Sequence, residues 1–235
     1  MSNNDPRSRI ALALDVPDLD AAKRLIEQTQ AHVGVFKVGL ELYISVGPKA
    51  VEVVHAAGAE CFLDLKLHDI PATMGRAVAR ASEMGVAYLT VHAAAGREAL
   101  QAASDHAGTT RLLAVTVLTS LDATALDEIG LEGDPRGAAD RLGKLTWSSG
   151  IRGFVTSPLE CAGLRDLFGH EAFIVTPGIR PAGTDIGDQK RVMTPSDAIT
   201  AGADLLVVGR PIRDAPDPIA AARDIALQVD AALSS

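Results

Sequence analysis

The chain has 235 residues, of which 47% are hydrophobic and only 3% aromatic, and its 22 basic and 30 acidic side chains give a formal net charge of −8. This composition argues against a nucleic-acid binder, which needs a basic surface and stacking aromatic side chains. Residues 1–9 lack the apolar segment of a secretory signal, and no apolar run reaches the ~20 residues that span a bilayer. We therefore expect a cytoplasmic protein with no nucleic-acid or membrane partner.

Apolar runs bounded by turn residues predict eight strands, and segments with helical spacing alternate with them along the chain. The predicted strands are residues 10–15, 33–38, 61–67, 87–92, 112–118, 153–157, 173–176 and 205–209. The predicted helices are residues 19–30, 48–57, 72–84, 97–106, 137–149, 158–168, 195–201 and 218–233. Most of the strands are continuous runs of Val, Ile, Leu and Ala, which is typical of a parallel sheet covered on both faces.

Eight strand-helix units in a chain of this length favour an α/β fold of the closed (β/α)8 type, a TIM barrel. We expect one domain over residues 1–235, with residues 1–8 as a flexible tail. The alternative is an open doubly wound sheet of the flavodoxin or Rossmann type, but Asp15, Val16 and Pro17 follow the first strand where a dinucleotide-binding sheet has a glycine-rich turn. Barrel enzymes place their active sites at the carboxyl ends of the strands, so polar residues there are the candidates for a functional site.

Charged residues cluster at the ends of the first three predicted strands, at Asp15, Lys37, Asp64, Lys66 and Asp69. Asp64 and Lys66 are two residues apart on a strand, so their side chains share a face, and the leucines between them predict that this face is the barrel interior. A structural ion pair is the alternative interpretation. The neighbouring Lys37 and Asp69 favour instead a functional array that keeps Lys66 protonated as an acid at neutral pH.

Two turns that combine glycine with arginine predict a phosphate-binding site. Gly178 and Arg180 follow the seventh strand, and Gly209 and Arg210 follow the eighth. Phosphate sites of barrels often use these two loops, since glycine lets a ligand approach the backbone and arginine offers a bidentate partner. Gln189 lies in the same long segment as Arg180 and would reach a ligand only if that segment folds over it.

Six motifs resemble, in order along the chain, those of the orotidine 5′-phosphate decarboxylase family. They occupy residues 12–15, 36–39, 62–73 with the pattern D-x-K-x-x-D, 115–120, 176–180 and 207–210. The resemblance extends from the first predicted strand to the last. It implies decarboxylation of orotidine 5′-phosphate to UMP and carbon dioxide, the last step of de novo pyrimidine nucleotide synthesis, with no metal or organic cofactor.

The resemblance also implies roles for particular residues in a homodimer. Lys66 would be the general acid that protonates C6 of the pyrimidine, and Asp64 would face the substrate carboxylate. Lys37 and the Asp69 contributed across the dimer interface would complete the catalytic array. The residues implied to bind the substrate are Asp15 at a ribose hydroxyl, Lys37, Thr73 at the sugar across the interface, Ile70, Thr119 and Pro177 around the pyrimidine, and Arg180, Gln189, Gly209 and Arg210 at the phosphate.

Two other functions remain open alternatives. Metal-dependent relatives that decarboxylate a keto-gulonate phosphate or condense a pentulose phosphate share Asp15 and the D-x-K-x-x-D pattern. They typically carry a metal-binding Glu after the second strand, where this chain has Lys37, and a lysine opposes Mg²⁺ binding. The other alternative is a non-catalytic barrel that binds a nucleotide, which would have no need of a buried acid such as Lys66. His92 is expected to be a hydrogen-bonded core histidine, and His68 receives no role.

Overall fold

The computed structural model describes residues 5–182 and 191–234 and shows eight parallel strands closed into a barrel. Each strand pairs with the next along the chain, and the first pairs with the last. The strands are β1 (Ile10–Ala13), β2 (Val35–Val38), β3 (Glu60–Leu67), β4 (Tyr88–His92), β5 (Arg111–Val115), β6 (Gly153–Val155), β7 (Phe173–Thr176) and β8 (Leu205–Val208). The predicted (β/α)8 barrel is confirmed, and the open-sheet alternative is wrong.

Eleven α-helices surround the barrel within the described residues. They are α1 (Leu19–Thr29), α2 (Leu40–Val46), α3 (Lys49–Ala56), α4 (Pro71–Glu83), α5 (Arg97–Asp105), α6 (Ala123–Glu128), α7 (Pro135–Ser148), α8 (Cys161–Phe168), α9 (Pro195–Thr200), α10 (Arg210–Arg213) and α11 (Pro218–Leu233). The sequence did not predict α2, α6 or α10, which have 7, 6 and 4 residues and are too short to show helical periodicity. In the part of the chain that the structure describes, no helix has the length and apolar character needed to cross a membrane.

The structure differs from the predicted flexible tail at the N-terminus. Pro6–Arg9 form a 3₁₀ turn that packs against α11. The Asp5 carboxylate caps this turn by accepting the backbone N–H of Arg7 at 3.0 Å, and it pairs with the Arg7 guanidinium at 2.8 Å. A proline at the start of the turn and a local ion pair therefore give order to residues that polar composition alone predicted to be flexible. Residues 1–4 lie outside the described residues.

An apolar layer fills the middle of the barrel and determines where the charged side chains lie. The buried members of this layer are Ala11, Val35, Phe62, Leu113, Val175 and Leu205, and a larger apolar core lies between the strands and the helices. Side chains two residues apart on a strand point to the same face. Lys37 lies two residues after Val35, and Asp64 lies two residues after Phe62. Both charged side chains therefore point into the barrel, just above the apolar layer at the carboxyl ends of the strands.

Regular strand geometry is interrupted at Lys66. The register between β3 and β4 shifts between Leu63 and Leu67, and Lys66 has a φ of 50°, in the left-handed region that residues other than glycine rarely adopt. It is the only non-glycine residue with a positive φ among residues 5–182 and 191–234. The backbone N–H of Lys66 donates to the side-chain hydroxyl of Thr90 at 2.8 Å. Backbone of this kind costs about 1–3 kcal/mol and clusters at functional sites.

Candidate active site

A cavity of about 360 Å³ lies at the carboxyl ends of the strands. Five basic and two acidic side chains line it in the described part of the chain: Lys37, Lys66, Arg180, Arg210, Arg213, Asp15 and Asp64. Much of the remaining wall is apolar, with Val115, Val117, Leu118 and Val207 among its members. The local charge is therefore positive although the whole chain is acidic, and the local charge is what an anionic ligand experiences at the site.

Asp64 is the centre of the charged array, because its two carboxylate oxygens meet two lysines. Oδ1 accepts hydrogen bonds from Lys66 Nζ at 2.8 Å and from Thr90 Oγ1 at 3.0 Å, and Oδ2 lies 3.3 Å from Lys37 Nζ. Burial by itself raises the pKa of Asp64, but the two lysines outweigh burial and hold this pKa below its ordinary value. Asp64 is therefore ionised at neutral pH.

Lys37 lies between two carboxylates. Its Nζ is 3.3 Å from Asp64 Oδ2 and 3.4 Å from Asp15 Oδ1, and the residue is 8% exposed. Burial by itself lowers the pKa of Lys37. The attraction of Asp64, and then of Asp15, raises it by more than burial lowers it, so the net pKa is above the ordinary lysine value. The structure thus brings Asp15, Lys37, Asp64 and Lys66 together as a chain of alternating charges. The position between Asp15 and Asp64 that could attract a cation is filled by a lysine ammonium.

Several of the predicted substrate-binding residues line the same cavity. They are Asp15, Lys37, Thr119, Pro177, Arg180, Gly209 and Arg210. Arg180 is 8% exposed and its Nη1 donates to the carbonyl of Ile179 at 2.8 Å, while Arg210 begins α10 directly after β8. Since β7 and β8 are neighbours in the barrel, Arg180 and Arg210 lie in the segments that follow two adjacent strands, where barrels often bind phosphate.

Three predicted residues lie away from the cavity wall. Asp69 and Ile70 are exposed, with Ile70 at 67%, and Thr73 lies in the first turn of α4. The Asp69 carboxylate accepts the backbone N–H of Ile70 at 2.7 Å. A single chain therefore does not bring these residues to its own site, and their contribution to a partner's site stays a prediction. Gln189 lies outside the described residues.

Sequence reasoning missed Gly39 and Arg213. A Cβ atom at Gly39 would lie 3.1 Å from both Asp15 Oδ1 and Lys37 Nζ, so a side chain there would press on these two charged groups. The function of this glycine is to leave space, and only its place in the motif at residues 36–39 could have indicated it. Arg213 lines the cavity and donates to the carbonyl of Asp15 at 3.0 Å. It ends α10, a short helix that the sequence did not predict, so no signal placed it near the first strand.

His92 at the end of β4 is half-buried and lies beside His68, with their ring centres 5.5 Å apart. Its buried Nδ1 has no hydrogen-bond partner within the described ranges, so the predicted hydrogen bond is missing at this nitrogen. Burial, followed by the charges of His68 and Lys66, lowers the pKa of His92. The neutral imidazole is therefore the favoured form beside the lysine array.

The closed parallel barrel, with a charged cavity at the carboxyl ends of its strands, defines the chain as a (β/α)8-barrel enzyme. The family model described as "Orotidine 5'-phosphate decarboxylase / HUMPS family" matches residues 8–225. The chain belongs to this family.

Individual relatives match nearly the whole chain. The orotidine 5′-phosphate decarboxylase of Anaeromyxobacter sp. (strain K) is 53% identical over 222 residues, which cover 94% of this chain and 98% of the relative. That of Thermobifida fusca (strain YX) is 50% identical over 221 residues, or 94% and 95% of the two chains. The crystal structure of the Lactobacillus acidophilus enzyme of the same name superposes with a TM-score of 0.83 at 33% identity, covering 94% of this chain and 99% of the other.

Proposed function

We propose that this protein decarboxylates orotidine 5′-phosphate to UMP and carbon dioxide without a cofactor, as the last step of de novo pyrimidine nucleotide synthesis. The observation that carries the proposal is the ammonium group of Lys66, held 2.8 Å from the buried Asp64 in a cationic cavity. Relatives about half identical over nearly the whole chain bear the name of this activity. The cytoplasmic location stays a prediction from the sequence.

Lys66 has the charge and the position that this reaction needs. When the bond between C6 and the carboxylate breaks, carbon dioxide leaves and the electron pair stays on C6 in the plane of the ring, where it cannot delocalise into the π-system. A fixed positive charge beside C6 is therefore the main stabilisation that a protein can offer. The ammonium of Lys66 supplies this charge and then donates its proton to C6, and the resulting amine recovers a proton from water.

The other charged residues prepare Lys66 and bind the rest of the substrate. Asp64 orients Lys66 and faces the departing carboxylate, where repulsion in the ground state adds to the driving force. Lys37 keeps Asp64 ionised, and Asp15 binds a ribose hydroxyl. Phosphate binding by Arg180, Gln189, Gly209 and Arg210 occurs away from C6, so its binding energy is available to hold the pyrimidine against Lys66. Thr119, Pro177 and Ile70 border the pyrimidine.

Loss of ultraviolet absorbance after addition of orotidine 5′-phosphate tests the proposal directly, because the pyrimidine chromophore changes when the carboxylate leaves. We expect stoichiometric formation of UMP and carbon dioxide. Tight binding of UMP with no turnover of orotidine 5′-phosphate would favour the non-catalytic nucleotide-binding barrel instead.

Chelation of divalent metal ions is expected to leave the decarboxylation rate unchanged. Lys37 lies within 3.4 Å of both Asp15 and Asp64, so a divalent cation between these carboxylates would be repelled by the ammonium. The measurement is the rate before and after incubation with EDTA, followed by addition of Mg²⁺. Loss of the rate with EDTA and recovery with Mg²⁺ would favour the metal-dependent sister activities.

A homodimer with shared sites is the second part of the proposal. Asp69, Ile70 and Thr73 lie off the wall of their own cavity, and an exposed Ile70 is suited to a contact between subunits. We propose that these residues enter the site of the partner subunit, so that Asp69 completes the charged array there.

Coexpression of the Lys66→Ala and Asp69→Ala chains tests the shared site. Each variant alone is expected to be nearly inactive. A mixed dimer has one site with both residues intact, so random pairing restores about a quarter of the wild-type activity. Coexpression of Lys66→Ala with the double variant Lys66→Ala/Asp69→Ala is the matched control, because no pairing of those chains rebuilds a site. Equal activity in the two mixtures would show that Asp69 does not act across an interface.

A further inference from the structure

We propose that the buried ion pair between Glu160 and Arg191 is a positioning pair that holds two walls of the active-site cavity. The inference rests on the proposed function, because it assigns these residues an effect on nucleotide binding. Neither residue lines the cavity, and neither takes part in the chemistry described above. They belong to the segments that follow β6 and β7, and they meet at the carboxyl end of the barrel.

Glu160 lies directly behind a residue of the cavity wall. It is 3% exposed and ends the 3₁₀ turn Pro158–Glu160. Its Oε2 accepts hydrogen bonds from Thr156 Oγ1 at 2.8 Å and from the backbone N–H of Ser157 at 3.0 Å, and its Oε1 pairs with Arg191 Nη1. Since Thr156 lines the cavity, the carboxylate of Glu160 connects the cavity wall, through one oxygen, to Arg191, through the other.

Arg191 extends the contact to the segment that follows β5. Its Nη2 donates to the carbonyl of Leu118 at 2.9 Å. Leu118 and the next residue, Thr119, both line the cavity. The first wall that the pair holds is therefore the backbone beside the proposed pyrimidine position.

The second wall lies beside the proposed phosphate position. Two residues beyond Arg191, the backbone of Met193 bridges to the segment after β7: its N–H donates to the carbonyl of Gly178 at 3.2 Å, and its carbonyl accepts the N–H of Arg180 at 2.9 Å. Gly178 and Arg180 line the cavity. Anchoring Arg191 to Glu160 therefore also limits the movement of the strand-like bridge that carries Arg180.

A purely stabilising role does not account for this pair. Buried ion pairs are weak sources of stability, because desolvation offsets their attraction and apolar replacements are often neutral. Burial also raises the pKa of Glu160 despite the opposing effects of Thr156 and Arg191. An apolar pair could not reproduce the hydrogen bonds that Glu160 accepts from Thr156 and Ser157 or the one that Arg191 donates to Leu118.

The test compares UMP affinity with thermal stability in three variants: Glu160→Gln, Arg191→Met and the double variant. Each single variant leaves one buried group without its partner, so we expect a lower Tm and weaker UMP binding in both. In Arg191→Met the affinity falls about tenfold, the ratio that corresponds to one lost hydrogen bond to a buried carbonyl. In the double variant no unpaired charge remains, so the Tm recovers towards the wild-type value. UMP affinity stays low, because the Leu118 carbonyl still lacks its donor.

The ion pair between Arg165 and Asp204 provides a matched control. Its closest approach is 2.6 Å and both side chains are mostly buried, but Asp204 precedes β8 and therefore lies at the opposite end of the barrel. Arg165→Met is expected to lower the Tm and to leave UMP affinity unchanged. The inference is overturned if UMP affinity recovers with the Tm in the double variant, or if Arg165→Met weakens UMP binding as much as Arg191→Met does. If wild-type protein neither binds UMP nor decarboxylates orotidine 5′-phosphate, the proposed function fails and this inference fails with it; if it does both and the variants bind UMP normally, only the inference fails.

Discussion

Replacing Lys66 with alanine is expected to lower kcat/KM for orotidine 5′-phosphate at least several thousandfold, which corresponds to about 5 kcal/mol or more of transition-state stabilisation. The variant loses the positive charge beside C6 and the proton that C6 receives. It also leaves the buried carboxylate of Asp64 with one ammonium partner instead of two. The measurement is the decrease in substrate absorbance under subsaturating substrate.

Lys23→Ala is the matched control for this prediction. Lys23 lies on α1 with an exposed side chain, and its partner Asp20 is 3.9 Å away, so the pair contributes little. We expect wild-type kinetics from this variant. A Lys66→Ala protein that folds normally and keeps more than a small fraction of wild-type turnover would remove Lys66 from the mechanism.

Replacing Asp64 with asparagine is expected to reduce both activity and stability. The two lysines then lose the carboxylate between them, and a misplaced general acid costs about 10²–10⁴-fold in rate. Removing one partner from a buried charge cluster costs about 3–5 kcal/mol of unfolding free energy. The measurements are kcat/KM and urea unfolding, and the exposed Asp20→Asn is the control that should change neither.

The shifted pKa values of Asp64 and Lys37 determine how the stability difference between wild type and Asp64→Asn depends on pH. The pKa of Asp64 is lowered from 3.8, so its contribution is fully present above pH 3.8 and is lost as the pH falls through the folded-state pKa. The pKa of Lys37 is raised from 10.5, so its contribution is present below pH 10.5 and is lost as the pH rises through its folded-state value. The difference between wild type and Asp64→Asn should therefore be constant between these limits and shrink in acid. A difference that grows on acidification would contradict the assignment of Asp64 as an ionised partner.

The sequence predicted the barrel because its strands carry a strong and simple signal. Continuous apolar runs such as residues 10–14 and 205–208 have no polar face, which requires helices on one side and a filled interior on the other. The ends of the strands were less certain: the first strand was predicted to continue to Asp15, but β1 ends at Ala13. Side chains alternate between the two faces of a strand in the same way in its last hydrogen-bonded residues and in the extended residues that follow. The sequence pattern alone therefore does not locate the end of the strand.

Sequence reasoning predicted part of the charged array but not the residues that surround it. Asp64 and Lys66 are two residues apart, and Lys37 lies on the neighbouring strand, so alternation and topology suffice to bring the three together. Glu160 and Arg191 are 31 residues apart and look like ordinary surface charges in the sequence. Their burial depends on how the segments after β6 and β7 pack, which local patterns do not encode.

At Lys66 two contributions to stability oppose each other: the left-handed backbone is strained, and the ammonium is paired with the buried Asp64. Glycine adopts a φ of 50° without the steric cost that a lysine bears. The same change would remove the ammonium on which the proposed reaction depends. A glycine there would relieve about 1–3 kcal/mol of backbone strain, but removing one ammonium partner of the buried Asp64 costs about 3–5 kcal/mol, so the ion pair that serves the proposed reaction also keeps a lysine in this backbone conformation.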